Sequence, residues 1–243
     1  MSYSPFETET QIHDSYGDGI EKVSVRPLQL MSEGWQLIGH QYWLMLGILL
    51  TAIFLSAIVP FGILFGPLTV GTYLCLIDLE NGKVLQFNRL FEGFDRFMES
   101  LIALILIVAI TFLFNALVVG VWLVILFGVL AGAPEAMPLF VAVLLGGILL
   151  MTLVSPFIYM PFLFCYQLIA DRGVDGLESV KLSCIGVWRN LFGIMWFSIV
   201  MSIIYALSLV FCGLPMLFLM PVFFAAFFRL YRQIYGIPMA SAV

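Results

Sequence analysis

Three times along the chain, apolar residues recur at spacings of +3, +4, +3 and +4. They are Leu28, Met31, Trp35, Ile38 and Tyr42; then Val84, Phe87, Phe91, Phe94 and Met98; then Leu177, Val180, Cys184, Val187 and Leu191. That spacing lines one face of an α-helix. Each stripe is followed by a long apolar run, over 42–77, 101–170 and 191–228. Each therefore predicts a half-buried leader helix that delivers the chain into an apolar medium.

The runs carry their own punctuation. The first is interrupted at Pro60-Phe61-Gly62 and at Gly66-Pro67, the second at 128–138 around Glu135, and the third at Cys212-Gly213-Leu214-Pro215. Proline lacks the N–H that continues a helix and is tolerated in its first turn, so each break predicts an outer turn between two helices. The piece 139–170 would be about 48 Å long as one helix, more than a hydrocarbon core of about 30 Å. It is either one kinked helix or two short ones, with Ser155-Pro156 and Pro161 as the kink points.

Composition names the medium. The chain is 63% hydrophobic and 10% charged, with a mean hydropathy of +1.11, against about 45–50% and about 25% in soluble domains. Its 243 residues supply five or six spans of about 20 residues each and leave no room for a folded soluble domain. With six spans, both termini share a side with the connections 78–99 and 171–190, and that side holds all ten Lys and Arg residues. The opposite side holds only Glu135. The positive-inside rule then places both termini in the cytoplasm, and it favours one long kinked helix over 139–170.

The expected architecture is all-α and membrane-spanning: six transmembrane helices as three repeated α-hairpins, with amphipathic cytoplasmic leader helices. The membrane domain is expected over 26–236, between a flexible acidic tail at 1–25 and a short tail at 237–243. The first tail carries Glu7, Glu9, Asp14, Asp18 and Glu21 and no apolar core, unlike a secretory signal peptide. The net charge of −5 comes largely from it and does not suggest nucleic acid as a partner.

Candidate chemistry is sparse. No charged residue lies inside the predicted spans, which argues against ion-coupled transport. Among the polar residues within them, Asn115 and Gln167 are the candidate pore or ligand contacts, beside the plainer reading of hydrogen bonds between or within helices. Asp78 and Asp171 end two returning helices. They form either a paired cytoplasmic acidic site or helix stops that pair with a leader-helix cation such as Arg96 or Arg189. Arg229 and Arg232, one turn apart beside Tyr231 and Tyr235, are candidate contacts for anionic lipid headgroups. The cysteines at 75, 165, 184 and 212 fit no metal or redox spacing and read as packing residues, and His13 and His40 have no partner acid. No catalytic signature is present, so no cofactor or metal set is predicted and the protein is expected not to be an enzyme.

Several segments are similar to known ones. Gly34-Trp35-Gln36-Leu37-Ile38, Gly66-Pro67 and Asn88-Arg89-Leu90-Phe91-Glu92-Gly93-Phe94 resemble segments of uncharacterised six-helix inner-membrane proteins of proteobacteria, whose connecting loop reads L-F-x-G-F. Gly176-Leu177-Glu178-Ser179-Val180-Lys181-Leu182-Ser183, Trp188-Arg189-Asn190 and Phe228 to Gly236 resemble that family's G-x-E-A-x-K-x-S, R-N and Y-R-x-I-x-G segments. The likeness covers 27–236 and extends loosely to the membrane domain preceding some glycerophosphodiester phosphodiesterases. It implies a bacterial inner membrane and six helices, and brings no activity. The function expected is that of an accessory subunit or membrane organiser acting through helix and lipid contacts, with a partner membrane protein or a second copy. The alternative is passage of lipid or a small neutral solute through the bundle.

Overall fold

The computed structural model describes residues 20–132, 137–210 and 213–236. Among these, all regular structure is helical. In chain order the helices are α1 (Pro27–Ile38), α2 (Tyr42–Ile58), α3 (Phe65–Glu80), α4 (Phe97–Gly132), α5 (Met137–Tyr159), α6 (Cys165–Arg172), α7 (Gly176–Arg189), α8 (Leu191–Val210) and α9 (Leu214–Tyr235). Short 3-10 turns occupy Gly39–Gln41, Pro60–Gly62 and Met160–Phe162, and a longer 3-10 helix runs over Phe87–Arg96. Among the described residues, four helical stretches are long and apolar enough to cross a membrane: Pro27–Ile58, Phe87–Gly128, Leu191–Ser208 and Leu214–Tyr235. With 16 residues, α3 reaches about 24 Å, short of a full hydrocarbon core.

Two breaks fall where the prolines predict them. The chain turns at Pro60–Gly62, where Gly62 takes a φ of +64°. The piece 139–170 resolves as α5, a 3-10 turn at Pro161, and the short helix α6, so it is neither one continuous helix nor two full spans. Ser183 of α7 closes this break from the side. Its hydroxyl donates to the Pro161 carbonyl at 2.7 Å and accepts the Phe164 N–H at 3.1 Å. A neighbouring helix thus satisfies the backbone groups that proline releases. The Glu135 loop and Cys212 lie outside the described residues.

The leaders correct the expectation in a consistent way. In α1 the buried residues are Pro27, Leu30, Gly34 and Ile38, while the stripe residues Leu28 and Trp35 face outward. The second leader is a 3-10 helix instead of an α-helix. It buries Leu90 and Gly93 and turns Phe87 and Phe91 outward, and the flanking stripe residues Val84 and Met98 are exposed as well. In α7 Val180 and Val187 are buried as expected, but they share the inner face with Gly176, Ser179, Ser183 and Gly186, and Leu177 points out. Small residues let backbones approach closely, and close approach is what holds helices together where lipid is as apolar as leucine.

Those approaches form a ring. The first leader, α1, lies on α9; the 87–96 leader lies on α3; and α7 lies on α6 and the Met160–Phe162 turn. A Cβ placed on Gly34 would lie 2.8 Å from Ala226 N and 3.1 Å from Val222 O. One placed on Gly93 would strike Pro67 O and lie 2.5 Å from Gly71 N. Both glycines therefore straddle a carbonyl and the N–H four residues further along the partner helix. The 3-10 form suits this, because residues three apart are eclipsed and Leu90 and Gly93 press on α3 together. By contrast α4 and α5 pair mainly with each other over their outer lengths, where the Trp122 indole donates to Val143 O at 3.2 Å and its ring covers Gly147.

The tail boundary also moves. Of the tail expected over 1–25, residues 20–25 are docked as an extended strap. Glu21 N donates to Ile234 O at 2.9 Å, and Asn190 accepts from Val23 N at 2.8 Å while donating to Glu21 O at 2.9 Å. Asn190 closes α7 and meets the strap with its amide on both sides, which holds residues 20–25 against the ends of α7 and α9.

Candidate functional site: a buried ionic junction of three helix ends

Helices α3, α6 and α9 end near one another; their last turns carry Glu80, Asp171 and Arg232, and Arg229 lies one turn before Arg232. A carboxylate at a helix C-terminus is repelled by the partial negative charge of the unpaired carbonyls, so Glu80 and Asp171 need a cation. Arg232 supplies it to both. Its Nε donates to Glu80 Oε2 at 2.7 Å and its Nη1 to Asp171 Oδ2 at 2.8 Å. Arg229 donates to the other oxygen of Glu80 at 2.9 Å, and the Tyr231 hydroxyl donates to Asp171 Oδ2 at 2.7 Å. The Asp171 and Arg232 side chains are 3% and 8% exposed. The guanidinium of Arg232 also lies 4.9 Å from the Phe228 ring centre, a cation–π distance. Arg172 completes the group by donating to the Tyr235 carbonyl at the end of α9.

The two carboxylates are opposed by the two arginines of α9, and these ion pairs add to the direct packing of α3 on α6 and on α9. A single planar guanidinium with several fixed donors can bridge two carboxylates, which a lysine ammonium does with far less geometric control. The arrangement is a clamp: it fixes the relative position of three helix ends. It has no activated nucleophile, and among the described residues no group of three His, Cys, Asp or Glu side chains could hold a metal ion.

Against this geometry the sequence candidates separate. Asp78 and Asp171 do not share a site. Asp78 pairs with Arg89 at 2.7 Å and Lys83 at 3.3 Å, beside the second leader. Two residues along α3, on the opposite side of the helix, Glu80 takes the place that Asp78 was given. Of the cations named for pairing, Arg96 donates to Gly173 O and lies near Glu99, and Arg189 donates to Ile20 O. The partner of Asp171 is instead Arg232 of the returning helix α9. Arg229 and Arg232 accordingly engage carboxylates of their own chain. Glu80 is the residue that sequence reasoning left out, and the available signal was the i,i+3 spacing of Arg229 and Arg232, which puts both on one helix face.

Asn115 and Gln167 also lie apart. Asn115 donates to Thr111 O of its own helix at 2.7 Å and lines an apolar groove of about 620 Å³ with Thr111, Phe65, Phe112, Tyr159 and Phe162. Gln167 lies one turn before Asp171 on the same face of α6 and is 1% exposed. It comes within reach of the Tyr73 hydroxyl, yet neither polar atom of its amide has an aligned partner among the described residues. A buried unpaired amide costs about 1–3 kcal/mol. Replacing it with leucine is therefore expected to raise the thermal midpoint of the purified protein; a lower midpoint would mean that the amide is paired.

No family model, curated protein or solved structure matches the chain.

Proposed function

We propose that the chain is a non-enzymatic integral protein of a bacterial inner membrane, an accessory subunit or membrane organiser that works through lateral helix and lipid contacts. The observation that carries this reading is the closed axis. At the convergence of α3, α6 and α9, Glu80 and Asp171 are held by Arg229 and Arg232, and Gln167 beside them is enclosed. The outer faces of the long apolar helices, by contrast, are bare: Phe112, Leu113 and Val124 of α4 all point away from the chain.

Six spans, arranged as three hairpins with both termini in the cytoplasm, belong to this proposal. The ring of leader contacts supports a threefold plan, because each leader lies on the returning helix of the preceding hairpin and the first lies on the last. The cation distribution supports the orientation, since every Lys and Arg falls on one side of such a bundle. The family likeness supports the bacterial inner membrane. A passage for lipid or a small neutral solute is the second reading, and the groove beside Asn115 is the observation in its favour.

Native mass spectrometry of the protein extracted with its surrounding lipid tests the choice. A stoichiometric partner protein or a second copy is expected. Protein that emerges alone, with a neutral solute or lipid held only when Asn115 is intact, would replace the first reading with the second.

A further inference from the structure

The candidate headgroup contacts of α9 are engaged by carboxylates, but other cations are not. Lys22, Arg26 and Lys181 are exposed and form no ion pair with a described residue. Arg26 and Lys181 sit beside apolar side chains that point away from the protein, and Lys22 lies four residues before Arg26 on the strap. Arg26 directly precedes α1, whose Leu28 and Trp35 are 72% and 53% exposed. Lys181 is one turn from both Leu177 and Ile185, and two turns from Trp188, which is 67% exposed, so all four share the outer face of α7. A helix with a large aromatic or aliphatic face and a lysine or arginine at its edge is the pattern of a segment lying at the boundary of headgroups and acyl chains. The long stems of Lys and Arg carry their charge from that depth up to the phosphates.

What covers these faces follows from their continuity. The outward side of α1 runs into α2 within one apolar stretch, Pro27–Ile58, that is long enough to cross a bilayer. The outward side of the second leader likewise runs into α4 within Phe87–Gly128. A surface that continues unbroken into lipid-facing helices is covered by the same lipid, and the unpaired cations at its edge select lipids of negative charge.

We infer that α1, α7 and the strap before α1 form an interfacial collar for anionic phospholipids, in which Lys22, Arg26 and Lys181 bind the headgroup phosphates and Leu28, Trp35, Ile185 and Trp188 enter the acyl region. The inference rests on the membrane reading above and adds to it the lipid class and the residues that recognise it.

The test uses the full chain in nanodiscs of equal phosphatidylglycerol and phosphatidylcholine, with retained lipids counted by native mass spectrometry. The wild-type protein is expected to hold phosphatidylglycerol several-fold above its share of the disc. Lys22→Gln, Arg26→Gln and Lys181→Gln together are expected to return the ratio to that of the disc, with helical content by circular dichroism unchanged. Enrichment that survives the triple variant overturns the assignment. In the same discs, acyl chains brominated near the headgroup are expected to quench tryptophan fluorescence, and less so in Trp35→Phe and Trp188→Phe. Tryptophans reached by aqueous acrylamide instead of bromolipid would make the collar a water-exposed, protein-docking face and overturn the inference. Failure of the membrane reading looks different: alkaline carbonate would then release the protein from membranes without detergent.

Discussion

Arg232→Leu is expected to destabilise the protein by about 3–5 kcal/mol, the usual result of removing one partner from a buried ion pair. The substitution takes the guanidinium from Asp171, which stays buried and keeps the Tyr231 hydroxyl as a donor, while Glu80 retains Arg229. The loss therefore traces to one stranded carboxylate, which gives the prediction its internal control. Asp171→Asn in the Arg232→Leu background removes the stranded charge and is expected to restore a large part of the stability. Thermal unfolding of the purified chain, followed by tryptophan fluorescence, reads both effects. Equal midpoints for wild type and Arg232→Leu would show that the junction does not hold α3, α6 and α9 together. Arg232→Lys is expected to fall between, because an ammonium lacks the fork that reaches two carboxylates at 2.7 and 2.8 Å.

Gly93→Leu is expected to abolish recovery of monodisperse protein. The first atom of any side chain at this position meets the Pro67 carbonyl and lies 2.9 Å from Gly71 Cα. These are backbone atoms, which cannot rotate away as a side-chain tip can. Overpacking a core ordinarily costs about 1–3 kcal/mol through side-chain adjustment; here α3 and the 87–96 helix must separate. Gly120 of α4 supplies the contrast. Nothing lies within 4 Å of a Cβ there, so Gly120→Ala is expected to be neutral or stabilising by up to about 1 kcal/mol through helix propensity. Size-exclusion profiles of the two variants, expressed side by side, check the pair. A well-behaved Gly93→Leu protein would show that the close approach is dispensable.

These expectations explain why the leaders misled. A +3, +4 stripe reports that one side of a helix differs from the other, and in a soluble protein the apolar side turns inward. Beside a bilayer both surroundings are apolar, so periodicity carries no sign. In α1 the large residues Leu28 and Trp35 face out, and Gly34, which contributes nothing to a hydrophobic stripe, makes the closest contact. The resemblance segments had drawn attention to Gly34, Gly66-Pro67 and Gly93, but their use as contact surfaces appears only when α9 and α3 are set against them.

The helical class, the apolar surroundings, the turn at Pro60, the kink at Pro161 and the start of α9 after Gly213 were legible in the residues, because proline and glycine act on the backbone locally, whatever packs around them. Tertiary structure alone decided which face of each leader is buried, that Glu80 and not Asp78 meets Asp171 through Arg232, and that Gln167 is enclosed while Asn115 lines an open groove. Each of these depends on residues far apart in the chain: 61 positions separate Asp171 from Arg232, and 152 separate Glu80 from it. No local pattern encodes such a distance. Only the convergence of three helix ends, each bearing charge that its own dipole disfavours or leaves unpaired, brings those residues to one point.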